Sequence, residues 1–357
     1  MRALFLPLLI GISGFVPLAR GASIDKLNVV HLQPGNSTYS AAWAINDTGQ
    51  IVGDADNAGF LYQNGTYTYL NIPGAYKTGV NLINQSGEVV GSFSLPDGDS
   101  GSFTYVNGKY TILPQPAGLS NVVYRAINNA GQIVGTGEDA QFHDRWFLYS
   151  KEQYTILNVP GFSESIALGI NNKGEILGVA WPSGQTPPAY AFVYTNGKFT
   201  SFRPSPDFDG FDEVVGSLIN DSGQVVTNYA DLSGHTHNFI WDDGVLTSLP
   251  NYNDEYTLAE GINNRGDVAG EILTAGTGSL YLYRDEQFFT TSAISGLLPA
   301  GMNDRGQIVG SDSNGAFLAS PTPEPTTIAL FLIAFVFFVF GPTNPHDPQK
   351  RRRHEQN

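Results

Sequence analysis

The sequence contains no cysteine, and this absence removes several kinds of chemistry at once. Disulfide bonds, thiol nucleophiles and thiolate metal sites are all excluded. The local signatures of common enzymes are also missing, since there is no G-x-S-x-G, no H-E-x-x-H, no phosphate-binding loop and no G-x-G-x-x-G after a strand. We therefore expect a non-catalytic protein that needs no cofactor.

Basic residues are scarce as well. The chain holds 18 Lys and Arg against 33 Asp and Glu, and six of the basic residues lie near its two ends. Between Ala22 and Pro323 there are 12 basic and 30 acidic residues, a formal net charge of −18. A body of this charge repels phosphate, so we predict no nucleic-acid partner.

What the chain does have is glycine and a sevenfold repeat. The stretch AINDTGQIVG returns as LINQSGEVVG, AINNAGQIVG, GINNKGEILG, LINDSGQVVT, GINNRGDVAG and GMNDRGQIVG. The Asn of successive copies lies at 46, 84, 128, 171, 220, 263 and 303, so neighbouring copies are 38 to 49 residues apart. Repeats of this period are typical of propellers and solenoids.

Each copy predicts a β-hairpin. An Asn followed three positions later by Gly favours a type I turn with a left-handed residue, a conformation that Gly adopts without steric cost. The Ile/Val pair that follows favours a buried strand. The last Gly of each copy indicates close approach of a neighbouring backbone, and Thr227 is the one departure from it.

The remainder of each unit predicts two more strands around a second tight turn. Examples are GFLYQNGTYTYL, SFTYVNGKYTIL and AFVYTNGKFTSF, in which aromatic and small or polar residues alternate. Four short strands in about 43 residues make the size of a propeller blade. We therefore predict an all-β, seven-bladed β-propeller; an open β-solenoid is the alternative.

The two ends of the repeat region predict how the ring closes. Unit seven has no fourth strand after AFLAS, whereas LNVVHLQPG near the N-terminus resembles the fourth strands YLNIPG and ILNVPG of other units. We expect Leu27–Leu32 to pair beside Gly315–Ala319 as the outermost strand of the last blade. Such pairing removes the exposed edges that an open array would leave.

The termini differ in kind from the repeats. Residues 1–22 have a basic start, an apolar run and small residues near Gly21, which predicts a secretory signal peptide; an uncleaved membrane anchor is the alternative. Residues 23–320 form the propeller. Residues 321–357 combine a Pro-rich linker, thirteen apolar residues at Ile328–Phe340 and a basic tail. An apolar helix is thus expected at each terminus, the second ~20 Å long, and a buried core helix is its weaker alternative.

Two resemblances follow from these residues. The repeat I-N-x-x-G-x-[IV]-V-G with its Phe-x-Tyr strand resembles the bacterial HAF-type extracellular repeat over about 280 residues. The tail is similar to a PEP-CTERM sorting signal, and the matching residues are Pro323, Glu324, Pro325, Arg351, Arg352 and Arg353. This resemblance implies an exported protein, processed by an exosortase-like partner and delivered to the cell surface or exopolysaccharide matrix. Gly341–Gln349 separates the helix from the basic cluster, which departs from the usual signal and leaves open retention of the helix in the membrane.

Candidate binding residues lie in the variable loops, which should gather on one face of the ring. The candidates are Asp97, Asp99, Trp181, His235 and His237. The repeated Asn-x-x-Gly turns, in contrast, are interpreted as geometry rather than as ligands.

Unit five is the most irregular repeat. Asp207, Asp209 and Asp212 supply oxygen ligands for Ca²⁺, but the glutamate that completes an EF-hand loop is not in register, and solvated acidic loops are the alternative. His235 and His237 share a strand face that suits a transition metal. For glycoside cleavage, the candidate carboxylates Glu164, Glu213 and Glu260 stand before first strands.

Three hypotheses for function result from these features. The first is a non-catalytic binding or structural protein of the envelope or exopolysaccharide matrix. The second is a polysaccharide-active enzyme on the same scaffold, and the third is a calcium-dependent adhesion module.

If the tail is a sorting signal, mature protein from the native host should lack all residues after about Pro325. Intact-mass measurement checks this expectation. Mature protein that retains Arg351–Arg353 would instead indicate an ordinary membrane anchor.

Overall fold

The fold consists of strands throughout the part of the chain that can be described. The computed structural model describes residues 27–322, except for 183–189, 204–217, 231–235, 253–255, 275–276, 293 and 295. Within these ranges every regular element is a β-strand, and the strands form seven antiparallel sheets of four strands each. The two apolar terminal helices predicted from the sequence lie outside the described residues.

The strands follow one another blade by blade, apart from the first. β1 is Leu27–His31. Blade one holds β2 (Ser40–Ile45), β3 (Ile51–Ala55), β4 (Ala58–Gln63) and β5 (Thr66–Leu70). Blade two holds β6 (Lys77–Ile83), β7 (Val89–Ser94), β8 (Ser100–Val106) and β9 (Lys109–Leu113). Blade three holds β10 (Ser120–Ile127), β11 (Ile133–Glu138), β12 (Asp144–Ser150) and β13 (Gln153–Leu157).

The second half of the ring repeats the arrangement. Blade four holds β14 (Glu164–Ile170), β15 (Ile176–Trp181), β16 (Tyr190–Thr195) and β17 (Lys198–Phe202). Blade five holds β18 (Leu218–Ile219), β19 (Val225–Ala230), β20 (Thr236–Asp242) and β21 (Val245–Ser248). Blade six holds β22 (Tyr256–Ile262), β23 (Val268–Thr274), β24 (Thr277–Arg284) and β25 (Gln287–Thr290). Blade seven holds β26 (Leu298–Met302), β27 (Ile308–Asp312) and β28 (Gly315–Pro321), with β1 as its fourth strand.

The seven-bladed propeller predicted from the repeats is confirmed, and so is closure by the N-terminal strand. β1 pairs antiparallel with β28, in a register that places Leu27 opposite Pro321 and His31 opposite Phe317. The His31 imidazole also lies 2.8 Å from a carboxylate oxygen of the buried Asp312 on β27. Pairing of the two chain ends satisfies the backbone groups of both strands.

The hydrophobic core lies between successive blades. In each of blades one to four and seven, a phenylalanine of the third strand packs over the glycine that ends the Ile/Val pair. In blade three, a Cβ added to Gly135 would meet both the carbonyl oxygen of Val123 and the ring of Phe147. This agrees with the close approach that the sequence predicts. In blade five, Thr227 occupies the equivalent position and is fully buried.

A β-bulge interrupts the first strand of six blades. The register shifts between the first and second strands at Trp43, Asn81, Arg125, Leu168, Glu260 and Ala300. Each of these residues lies three positions before the Asn of its repeat. A bulge changes the direction of the side chain of the extra residue. The side chain at this position of the repeat is therefore redirected in all six blades.

Removal of residues 22–33 should destabilise the whole ring, because the deletion leaves β28 as an exposed edge and Asp312 without His31. We expect a clearly lower melting temperature and faster hydrogen exchange in both β28 and β2. The control is deletion of residues 22–25, which stops short of β1 and should melt like the parent. Equal melting of the longer deletion and the parent would contradict the role of β1.

Candidate functional site

The repeated asparagines shape their own turns. Asn46 Oδ1 accepts hydrogen bonds from the backbone N–H of Thr48 at 3.2 Å and of Gln50 at 3.0 Å. The N–H of Gly49 donates to the carbonyl of Asn46 at 3.0 Å, and Gly49 has a φ of +82°. Positive φ recurs at the equivalent glycine of all seven repeats. The predicted turn geometry is confirmed in all seven repeats.

The same asparagines also join the blades into one closed circuit, which we term the asparagine ring. The Nδ2 of each Asn donates to the backbone carbonyl of the Asn in the next blade, and all seven side chains are buried. The donor and acceptor pairs are Asn46–Asn84 (3.1 Å), Asn84–Asn128 (3.0 Å), Asn128–Asn171 (3.1 Å), Asn171–Asn220 (2.9 Å), Asn220–Asn263 (3.0 Å), Asn263–Asn303 (3.2 Å) and Asn303–Asn46 (3.1 Å).

A second closed circuit lies one residue further along the chain. The backbone N–H of each residue after the Asn donates to the side-chain oxygen of its counterpart in the next blade, at 2.7 to 2.9 Å. The members are Asp47, Gln85, Asn129, Asn172, Asp221, Asn264 and Asp304. Burial, and the nearby negative charge of Asp304, raise the pKa of Asp47, although the N–H of Asp304 opposes the shift.

A cavity of about 220 Å³ lies at this end of the axis, where blades two to seven line it with members of both circuits and with the Ile or Met that precedes the Asn. The Asn46 carboxamide already donates to Gln50 and Asn84 and accepts from two backbone N–H groups. Other members of the asparagine ring repeat this pattern. Because their hydrogen-bonding capacity is used within the protein, we interpret this end as a structural closure rather than a ligand site.

The opposite face, which we term the loop face, carries the connections between second and third strands and between blades. Asp97 and Asp99 lie there in blade two and are exposed, and Asp97 accepts a hydrogen bond from the N–H of Asp99 within its own turn. Trp181 ends β15 in blade four and packs beside Val179. His237 lies on β20 in blade five. The described contacts therefore do not gather these candidates into one site.

Asp207, Asp209, Asp212, Glu213, His235 and the sorting-signal residues lie outside the described residues. In the described part of the chain, no group of three or more His, Asp or Glu side chains is arranged to hold a metal ion. No helix in those same ranges is long and apolar enough to cross a membrane.

Exposed aromatic side chains mark the loop face. Phe142 is 82% exposed, Tyr76 59% and Tyr39 53%. Phe142 has a φ of +61°, a strained value for a residue with a side chain. Its loop is nevertheless well fixed, because Asp139 Oδ1 accepts from the N–H groups of Gln141 and His143, and Asp139 Oδ2 lies 2.9 Å from Arg145.

The bulged residues form a second group, and sequence reasoning missed five of the six. One position of the repeat, on the innermost strand of six blades, holds Trp43, Asn81, Arg125, Leu168, Glu260 and Ala300. The Ile or Met and the Asn that follow vary little, whereas this position holds an aromatic, an amide, a cation, an acid and two apolar residues. This variation at one position of an otherwise regular repeat is the sequence signal that could have identified the position as functional.

The placement of two candidate carboxylates before first strands was wrong. Glu164 begins β14, and Glu260 lies inside β22, where its Oε2 is buried without a hydrogen-bond partner among the described residues. Burial, with a smaller effect from the charge of Glu271, raises the pKa of Glu260 to about 8. Glu271 lies on the neighbouring strand β23, and burial raises its pKa too.

Glu260 should make the stability of the ring depend on pH. Its pKa rises from 4.5 to about 8 on folding, so the folded state holds the proton more tightly. The free energy of unfolding should then fall as pH rises between these values, by at most about 1.4 kcal/mol per pH unit. In thermal melts between pH 5 and pH 8, the melting temperature of Glu260→Gln should fall less with rising pH than that of the parent. The exposed Glu152→Gln serves as control, and parallel profiles for all three proteins would contradict the assignment.

Comparison with known proteins supports the fold. No family model matches the sequence, and no curated protein matches it. The β-propeller domain of the Trilobed protease from Pyrococcus furiosus, described as an open velcro topology, matches at 10% identity and a TM-score of 0.51, over 84% of this chain and 94% of that one. The structure of YCF48 bound to D1 peptide matches at 14% identity and a TM-score of 0.52, over 86% and 100%.

The third similar structure is larger than this chain. A Pyrococcus horikoshii acylaminoacyl peptidase matches at 12% identity and a TM-score of 0.53, over 83% of this chain but 54% of its own. At such identities the similarity concerns the fold and not the activity. The chain is a β-propeller.

Proposed function

We propose that this protein is a non-catalytic binding or structural protein of the cell envelope or exopolysaccharide matrix, and that it binds through the loop face. The observation that carries the proposal is the fixed, exposed Phe142 on that face. Its ring is almost fully exposed although its backbone has positive φ. An apolar side chain held in this way stabilises nothing inside the ring, whereas it is ready to contact a partner.

The surroundings of Phe142 favour a glycan as that partner. Tyr39 and Tyr76 expose further aromatic surface on the same face, each just before the first strand of its blade. Aromatic rings provide apolar faces for stacking, and the loops around them offer carboxylate and amide groups for hydrogen bonds to hydroxyls. Rigid aromatic anchors also lose little conformational entropy on binding.

The proposed location rests on the termini. The apolar start of the chain supports export, and the Pro-Glu-Pro, apolar and Arg-rich order of the tail supports an exosortase-like processing partner. Under this proposal the membrane holds the protein at least transiently through Ile328–Phe340. The propeller then remains at the surface or in the matrix after processing.

A second candidate function, a polysaccharide-active enzyme, is favoured by Glu260 alone. A carboxyl group with a pKa of about 8 keeps its proton at neutral pH, as a general acid must. Its neighbour Glu271 supplies a second carboxyl group. Release of reducing sugar from a bound polysaccharide, abolished in Glu260→Gln, would support this function over the first.

A glycan array probed with the full-length protein tests the proposed function. We expect binding to a defined set of glycans that is reduced several-fold by Phe142→Ser, because the change removes the exposed ring without touching the core. Ile112→Ser is the matched control, since Ile112 is an exposed apolar residue on the outer strand β9. Absence of any bound glycan, or equal effects of the two substitutions, would contradict the proposal.

A further inference from the structure

We propose that the axial channel, at the level of the bulges in the innermost strands, binds a carboxylated sugar of the uronic acid class, with Arg125 as the carboxylate contact and Trp43 as the stacking surface. This inference rests on the proposed function, because it names the chemical class of the glycan and the residues that select it.

The position of these residues follows from the topology. The first strand of each blade is hydrogen-bonded to the second strand along one edge, and neighbouring blades cover its two faces. Its other edge faces the axis. Asn81 and Arg125 lie in the interior of β6 and β10 and yet are exposed. Exposed side chains in the middle of an innermost strand open onto the central channel, where the bulges direct them.

Arg125 supplies positive charge where the protein has little. It belongs to the 12 basic residues of a body with 30 acidic ones, and within the described residues it forms no ion pair. Its charge also acts on Asp144. Burial and the charge of Glu138 raise the pKa of Asp144, whereas the charge of Arg125 lowers it. A guanidinium without a bound carboxylate retains its donors for a ligand carboxylate, which it can bind in a bidentate manner.

Trp43 is held ready for stacking. Its indole Nε1 donates to Asp54 Oδ2 at 3.1 Å, and Asp54 Oδ1 accepts from the backbone N–H of Val80 in blade two at 3.0 Å. The indole is therefore tied by its edge to the junction of two blades. Because Trp43 is half-buried on an innermost strand, part of its ring remains open towards the axis. Blades one, two and three thus present an indole, a carboxamide and a guanidinium side by side.

The acidic residue of the set does not oppose an anion. Glu260 stands across the ring in blade six, and with a pKa of about 8 it is mostly protonated at neutral pH. A protonated carboxyl group donates a hydrogen bond instead of repelling a carboxylate. Leu168 and Ala300 carry no charge, and the equivalent residue of blade five lies outside the described residues. Among the described bulge residues, a guanidinium without an ion pair, an anchored indole and neutral polar groups fit a sugar that bears a carboxylate better than a neutral sugar.

Titration calorimetry with glucuronate and glucose as probes tests the inference on the full-length protein. We expect glucuronate to bind more tightly than glucose, and Arg125→Gln to weaken glucuronate binding by about tenfold or more while glucose binding changes little. Lys109→Gln is the control, because it removes the same charge at an exposed position of β9. Melting temperatures establish that each variant folds, and Trp43→Leu, which should weaken binding of both sugars, provides a second variant if Arg125→Gln does not fold.

The outcomes separate this inference from the proposed function. Equal affinity for the two sugars, equal effects of Arg125→Gln and Lys109→Gln, or no glucuronate binding by the parent would overturn the channel site. Glycan-array binding that persists under any of those results would leave the loop face as the binding surface. An array without any binding would remove the proposed function itself.

Discussion

A single carboxamide, repeated seven times, provides the constraint on which the rest of the structure depends. The oxygen of Asn46 and its equivalents fixes the turn within a blade, while the nitrogen reaches the backbone of the next blade. Local geometry and ring geometry are therefore set by the same group. Aspartate would lose the donor, and glutamine would displace both contacts by a methylene, so neither can replace Asn in both roles.

The fold was accessible from the sequence because its signals are local. Asn and Gly at fixed separation define a turn, and the missing fourth strand of unit seven points to β1 as its replacement. The hydrogen bonds between blades have no local sequence signal, because Asn171 donates to the carbonyl of Asn220, 49 residues away. Likewise, a bulge at Glu260 shifts the register without changing the pattern of apolar residues, so its burial could not be read in advance.

The asparagine ring and the bulges, which lie three residues apart along the chain, have different roles. In the asparagine ring and the second circuit, amide and carboxyl groups hydrogen-bond to one another and close the propeller. At the bulge, three residues before, side chains contribute little to the pairing of strands and are free to differ. Trp43, Arg125 and Glu260 can therefore occupy equivalent places in blades that are otherwise alike. A regular scaffold with one variable position per blade permits a new ligand without a new fold.

The pairing of β1 with β28 also sets an order of events in biosynthesis. His31 and Asp312 are 281 residues apart, so at ordinary elongation rates the first strand waits roughly 15 to 60 s for its partner. During that interval β1 is an unpaired edge strand. The asparagine ring also stays open, because its last contact, from Asn303 to Asn46, requires blade seven. Contacts of such long range slow folding. A chain that crosses a membrane unfolded would complete its ring only on the far side, after the last blade has followed the first.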